Sequence, residues 1–289
     1  MNTLLFNVLG CNVKVECKDS EARALLLANY GHMRAADLEP PDVSYTVHRE
    51  EGSSALLIVR DQEQPLVGSN AGEFLFLFEK DMTVRLQELR RDLYFVHSAV
   101  LEFAGKALML VGPSGSGKST TAWALLHHGF RYLSDELAPV DLKSMKVHPY
   151  AHALCLKDQP PGFYPLPEKT LSTPNTLHVP IEALPAGVGS NPTPLTAIFF
   201  LCGREISEAS VQPIRRAEAG ARLLAHALNP LAHSGDGLDG AMEMTRRTAQ
   251  FKLFTADLPA TCSLVKDTLK GLFRRSVSAP LAVSPLESR

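Results

Sequence analysis

The sequence predicts an α/β protein in two units: a small α+β unit over residues 1–92 and a larger α/β unit over 93–273. A patternless Ser- and Pro-bearing tail over 274–289 is expected to be disordered. Three observations carry this reading. The apolar run Ala107–Val111 leads straight into a glycine-rich stretch, Gly112–Ser119, and a helical stretch follows at once. Strand-like and helix-period segments alternate from there to residue 273. Before residue 92, strand-like runs accompany one long segment in which Phe74, Leu77, Phe78, Met82, Leu86 and Leu89 recur every three or four residues.

Residues 4–17 read as one strand, with Cys11 and Cys17 on a single buried face because side chains alternate along a strand. Asp19 or Ser20 opens a short helix through Ala28. Val43–His48 and Ala55–Arg60 are strands around the turn-prone Glu51-Gly52-Ser53. The helix of Asn70–Arg91 turns Glu79, Lys80, Arg85 and Glu88 away from its apolar stripe, and Phe74, Phe76 and Phe78 are expected in the core or at a domain contact.

Tyr94–Phe103 and Ala107–Val111 form a hairpin through Ala104-Gly105-Lys106. The helix of Lys118–His128 stops at Gly129, Phe130–Leu133 is a strand, and Leu137–Leu142 with Met145–Tyr150 makes another hairpin. Residues 158–194 are Pro- and Gly-rich and read as a long functional or mobile loop. Strands Ala197–Cys202 and Ala209–Ile214, a helix Ala217–Leu228, a loop Asn229–Gly240, a further helix, a strand near Phe251–Phe254 and a last helix from Asp257 to about Phe273 close the unit. There is no internal repeat.

Composition excludes several function classes. With 45% hydrophobic residues among 289, the chain can bury a large core, which rules out wholesale disorder. Lys plus Arg (29) almost balances Asp plus Glu (31), so a nucleic-acid partner is not expected. No apolar run reaches the ~18–20 residues of a membrane span, and no membrane association is expected. Val8-Leu9-Gly10-Cys11 loosely imitates a lipoprotein cleavage site, but no Lys or Arg precedes it, so the stretch reads as a strand. Five scattered cysteines, without a CxxC, fit reduced thiols and a cytoplasmic protein.

Gly112-Pro113-Ser114-Gly115-Ser116-Gly117-Lys118-Ser119 satisfies G-x-x-x-x-G-K-[ST], with a strand before it and a helix after it. Its glycines let successive N–H groups turn inward toward phosphate oxygens, and the new helix adds its positive dipole end. Residues 112–120, Thr120 included, are therefore the candidate nucleotide-binding residues, with Lys118 reaching the β- and γ-phosphates and the Ser119 hydroxyl a ligand for Mg²⁺. Asp135-Glu136 follows one helix and one strand later. That spacing sets both carboxylates at the end of a strand neighbouring the loop, one to hold Mg²⁺ and the other to accept a proton from an attacking hydroxyl. His97, on the strand ahead of the loop, is a further catalytic candidate. Lys157 is a cation placed to reach transferred phosphate, and Arg204 and Arg246 are weaker ones. His127 and His128 are expected only to favour the negative end of their helix. Asp141 reads as a turn residue, and His148, His152, His178 and His226 have no arguable partners.

The order His97, then Gly112 to Ser119, then Ser134-Asp135-Glu136 resembles the catalytic domain of HPr kinase/phosphorylase. The segments HSAVLE, GPSGSGKSTTAWAL and GFRYLSDELAPVDL are more similar still to HPr-kinase-related bacterial proteins. The resemblance is strong over about residues 94–142, reduces to general layout through 275, and does not extend over the first 90 residues. It implies a phosphoenolpyruvate carboxykinase-like P-loop fold and a kinase using ATP and Mg²⁺. Lys118 and Ser119 would sit on phosphate and metal, Asp135 and Glu136 would supply metal contact and base, and His97 would position phosphate or acceptor. The family's pair is Asp-Asp, so the Glu leaves the division of roles open. The family's later metal-binding Glu and its P-G-R-N stretch have no clear copy here, which puts phosphorylase activity and docking of HPr itself in doubt. HPr kinases assemble into rings, so the resemblance also admits a homo-oligomer.

The leading expectation is phosphorylation of a hydroxyl, Ser first, on a protein or peptide acceptor. A sugar- or nucleoside-type small-molecule kinase is the alternative, although such chains usually carry the loop near the N-terminus and an Arg-rich lid after it. A nucleotide-binding ATPase or switch is the third, against the absence of LSGGQ-like and N-K-x-D segments.

Overall fold

A computed structural model describes residues 3–36, 40–61, 63–204 and 208–278. The first layer is a five-stranded sheet in sequential order, β1 (Thr3–Val8), β2 (Cys11–Cys17), β3 (Val43–Arg49), β4 (Leu56–Arg60) and β5 (Leu66–Gly68). The single strand expected over 4–17 is two, because Leu9 and Gly10 adopt positive φ (+55 and +82) and fold β1 antiparallel onto β2. Cys11 and Cys17 do share the buried face of β2.

Two helices cover this sheet. α1 (Ser20–Tyr30) is capped by Asp19, whose carboxylate accepts the Ala22 amide at 2.9 Å. α2 (Ala71–Leu89) is capped by Asn70, with Phe74, Phe78, Met82 and Leu86 buried as their spacing requires. Phe76 departs from expectation. It is 63% exposed, since two positions from Phe74 on a helix lies on the opposite side. Leu93, Phe95, Leu137 and Tyr150 join the apolar cluster under this first sheet.

The second layer is a nine-stranded mixed sheet. It is built from β6 (Tyr94–Val96), β7 (Ser98–Phe103), β8 (Lys106–Val111), β9 (Arg131–Ser134), β10 (Ala138–Asp141) and β11 (Lys146–Val147). α3 (Lys118–His127) leaves between β8 and β9. A separate three-stranded sheet is made of β12 (Leu154–Leu156), just ahead of the stretch expected to be loop, and of β13 (Leu171–Ser172) and β14 (Leu177–Val179) within it. Its strands are two or three residues long, too short to leave a periodic signature. β15 (Thr193–Arg204), β16 (Ser210–Pro213) and β17 (Ala249–Thr255) complete the large sheet, with α4 (Arg216–Leu224), α5 (Leu238–Arg247) and α6 (Leu258–Ser278).

The centre of that sheet is parallel, β8 beside β15 and β15 beside β17. β8 is buried on both faces, as central parallel strands are. Leu108 and Leu110 pack with Trp123 of α3 and Val265 of α6, while Met109 and Val111 pack with Leu223 of α4 and Met244 of α5. This is a mixed α/β protein with several sheets.

Three expectations change here. β9 does not lie beside β8: β7 pairs antiparallel with both and stands between them. α6 runs on through Ser278, so residues 274–278 are helix, and the rest of the expected tail lies outside the described residues. His127 and His128 are not cationic caps. Burial holds both below the usual histidine value, His128 Nε2 lies 2.7 Å from the Tyr164 hydroxyl, and Lys266 supplies the cation by donating to the His128 carbonyl at 2.9 Å. Among the described residues no helix is long and apolar enough to cross a membrane.

Candidate functional site

The loop Gly112–Gly117 joins the buried end of β8 to the first turn of α3. Gly115 and Gly117 adopt φ of +80 and +89, a left-handed conformation that other residues enter only at a cost, and Gly117 is the residue from which the helix begins. The Ser116 amide donates to the Pro113 carbonyl at 3.1 Å, closing the turn. Lys118 is only 6% exposed and folds back over the loop, donating to the carbonyls of Gly112 at 2.8 Å and Pro113 at 3.2 Å. Burial holds its pKa below the usual lysine value, with Glu136 and Asp135 opposing that shift. Ser114 is exposed, and its hydroxyl accepts from Lys157 Nζ at 2.7 Å. The candidate cation at Lys157 thus stands on the loop itself. Ser119 and Thr120 are half-buried on the first turn of α3.

Asp135 and Glu136 follow β9 in a tight turn. The Ser134 hydroxyl donates to the Leu137 carbonyl, and the Leu137 amide donates back to it at 3.3 Å. Because β7 intervenes, the carboxylates approach from two strands away, and neighbouring residues fall in different environments. Asp135 is fully buried. Its Oδ2 accepts the Cys155 amide at 3.1 Å, and its Oδ1 has no hydrogen-bond partner. Burial, then the Glu136 charge, pushes its pKa up to about 8, while the Cys155 amide and the Ser119 hydroxyl pull the other way. Glu136 keeps a side chain 40% exposed, with Oε2 3.2 Å from His97 Nδ1. His97 sits where the strand expected over Tyr94–Phe103 breaks between β6 and β7. Its amide donates to the His226 carbonyl at 2.8 Å. Burial lowers the His97 pKa and Glu136 raises it, with the net shift downward.

An orphaned buried carboxylate oxygen beside a serine hydroxyl suits a hard cation. The all-oxygen set of Ser119, Asp135 and Glu136 fits Mg²⁺. Arg246 is not part of this group; it pairs with Glu243 at 3.3 Å on the surface. The Arg204 side chain lies outside the described residues. Asp141 is a turn residue as expected, accepting from the Lys143 amide and the Ser144 hydroxyl.

Sequence reasoning missed the polar cluster against Asp135. Glu79, assigned to the solvated side of α2, buries Oε1 at 3.4 Å from Nε2 of the fully buried His152. Burial pushes Glu79 up to about 8 and His152 down to about 4, so this contact is not an ion pair at neutral pH. His178 Nδ1 bonds Asn29 Oδ1 at 2.8 Å. A carboxylate about two turns into an amphipathic helix gives no local sign that another segment will cover it.

No protein-family model matches the chain, and no curated protein matches it. Among solved structures the chain is similar to the Hpr(Ser) kinase/phosphatase from Coxiella burnetii, at 11% identity and a TM-score of 0.34, over 66% of this chain and 99% of that one.

Proposed function

We propose that this chain is an ATP- and Mg²⁺-dependent phosphotransferase with a phosphoenolpyruvate carboxykinase-like P-loop domain, acting on a hydroxyl, serine first, of a protein or peptide acceptor. The observation that carries the reading is the division of labour at the loop. Asp135 is buried and turned toward Ser119, whereas Glu136 is solvent-accessible and paired with His97.

The loop amides and Lys118 bind and orient the triphosphate, with the Lys118 ammonium exchanging its two carbonyl contacts for phosphate oxygens. Ser119 and Asp135 hold the cation, which when bound neutralises charge on the phosphate oxygens. Glu136 accepts the proton of the acceptor hydroxyl, and His97 orients that carboxylate through Nδ1. Lys157 adds positive charge at the rim beside Ser114. The five free thiols suit a reducing compartment, and we place the protein in the cytoplasm.

The test follows the γ-phosphate. The protein is incubated with Mg²⁺, γ-labelled ATP and extract of its own cells, beside a Lys118→Ala, Asp135→Asn double variant. The proposal expects label on a macromolecule that the variant does not produce. Label only in a small organic phosphate would replace it with a metabolite kinase, and free phosphate alone with an ATPase or switch.

A further inference from the structure

The cluster against Asp135 joins groups from two parts of the chain. Glu79 comes from α2, His152 from the segment after β11, and Cys155 from β12. One ligand atom from each, a carboxylate oxygen, a ring nitrogen and the sulfur, lies within 4.8 Å of the other two. His152 is fully buried, yet neither of its ring nitrogens has a hydrogen-bond partner, and neither has Glu79 Oε1. Unpaired buried polar atoms are costly, so the His152 nitrogens and Glu79 Oε1 call for a partner, while the Cys155 thiol has only a weak contact with the Ala153 carbonyl at 3.4 Å.

The chemistry of the set narrows that partner. Thiolate, imidazole and carboxylate together suit zinc, while a thiolate ligand disfavours Mg²⁺. Tetrahedral zinc with bonds of ~2.0–2.1 Å to nitrogen and oxygen places those two atoms ~3.3–3.4 Å apart. Glu79 Oε1 and His152 Nε2 already stand 3.4 Å apart, too poorly aligned for a hydrogen bond. His178 is an outer partner of this set. Its Nδ1 donates its one N–H to Asn29 Oδ1 at 2.8 Å, so this nitrogen, 3.4 Å from Cys155 Sγ, has no lone pair for the metal. Three protein ligands leave a fourth position for water. Cys155 and Glu79 are only partly covered, which leaves a way in.

We propose that Glu79, His152 and Cys155 form a binding site for a transition-metal dication, zinc first, that ties α2 to the segment carrying Asp135. Binding releases the Cys155 thiol proton and the Glu79 carboxyl proton to solvent, and forms the metal–sulfur and metal–oxygen bonds. The Cys155 amide donates to Asp135 Oδ2, so the metal would hold the backbone that orients that carboxylate. The site stands whether or not the chain transfers phosphate.

The test uses the full chain stripped with chelator, dialysed against Zn²⁺ and assayed for metal content, then repeated with Co²⁺ as a spectroscopic probe. The proposal expects one zinc per chain and a thiolate-to-cobalt charge-transfer band. Cys155→Ser and His152→Gln should each lose at least the roughly 10–100-fold in affinity that even an outer partner contributes. Cys202→Ser and Ser119→Ala should keep the metal. Because the core variants could fold poorly, the unmutated protein is also alkylated with iodoacetamide and the sites located by mass. Zn²⁺ should protect Cys155 and chelator should restore its reaction, with Cys202 unaffected. Zinc retained in Cys155→Ser, no zinc bound, or Cys155 alkylating equally with and without zinc would each overturn the proposal.

Discussion

Replacing Asp135 with Asn should stabilise the metal-free protein, by an amount that grows with pH. Asp135 is fully buried with one unpartnered oxygen, and burial with the nearby Glu136 pushes its pKa from 3.8 up to about 8. Between those values the native protein keeps a proton that the unfolded chain has released. The unfolded state then binds fewer protons, so stability falls as pH rises through this window. Asn has the same shape, still accepts the Cys155 amide and does not titrate. At ~1.4 kcal/mol per pH unit, the variant should gain about 3 kcal/mol on the parent between pH 5 and pH 7, and level off above pH 8. The assay is urea denaturation of both proteins in chelator at pH 5, 6, 7 and 8, with Mg²⁺ added in a second series. Mg²⁺ should stabilise the parent and leave the variant unmoved. Parallel stability curves for the two proteins across this range would refute the assignment of Asp135 as a buried, cation-seeking carboxylate.

Other predictions are more local. Gly117→Ala forces a Cβ onto a residue at φ +89 and should cost about 1–2 kcal/mol, read as a fall in Tm, together with loss of ATP binding. Glu136→Gln should leave ATP affinity near that of the parent while cutting turnover by ~100-fold or more, in single-turnover assays with the identified acceptor. In the same assays activity should decline as pH drops below the His97 pKa, which burial sets under 6.5, and His97→Gln should remove that limb. Phe78→Ala opens a cavity among Tyr30, Tyr45 and Phe74 and should destabilise the protein by about 3–5 kcal/mol without altering nucleotide affinity.

Local signals in the sequence were the ones the structure follows. The strand, loop and helix around Lys118, the hairpin ahead of them and the buried stripe of α2 each depend on neighbours within a few residues. The pairing order was not legible. Nothing in the segment near Phe130–Leu133 states that β7 will separate it from β8, since antiparallel and parallel partners present the same apolar run. The same limit hid the setting of Asp135 and Glu136. Adjacent residues of like chemistry part company because one faces Cys155 and the other faces His97 across the site. Glu79, His152 and Cys155 were illegible for a further reason: their relation spans more than 70 residues and depends on α2 packing where β12 begins.

The most direct test of the central claim is ATP binding to the purified full chain by titration calorimetry, with Mg²⁺ and without, compared with Lys118→Ala. The account predicts one site per chain, affinity strengthened by Mg²⁺, and at least a tenfold loss in the variant, which is ~1.4 kcal/mol. Binding that ignores both Mg²⁺ and Lys118, or no binding at all, would contradict it.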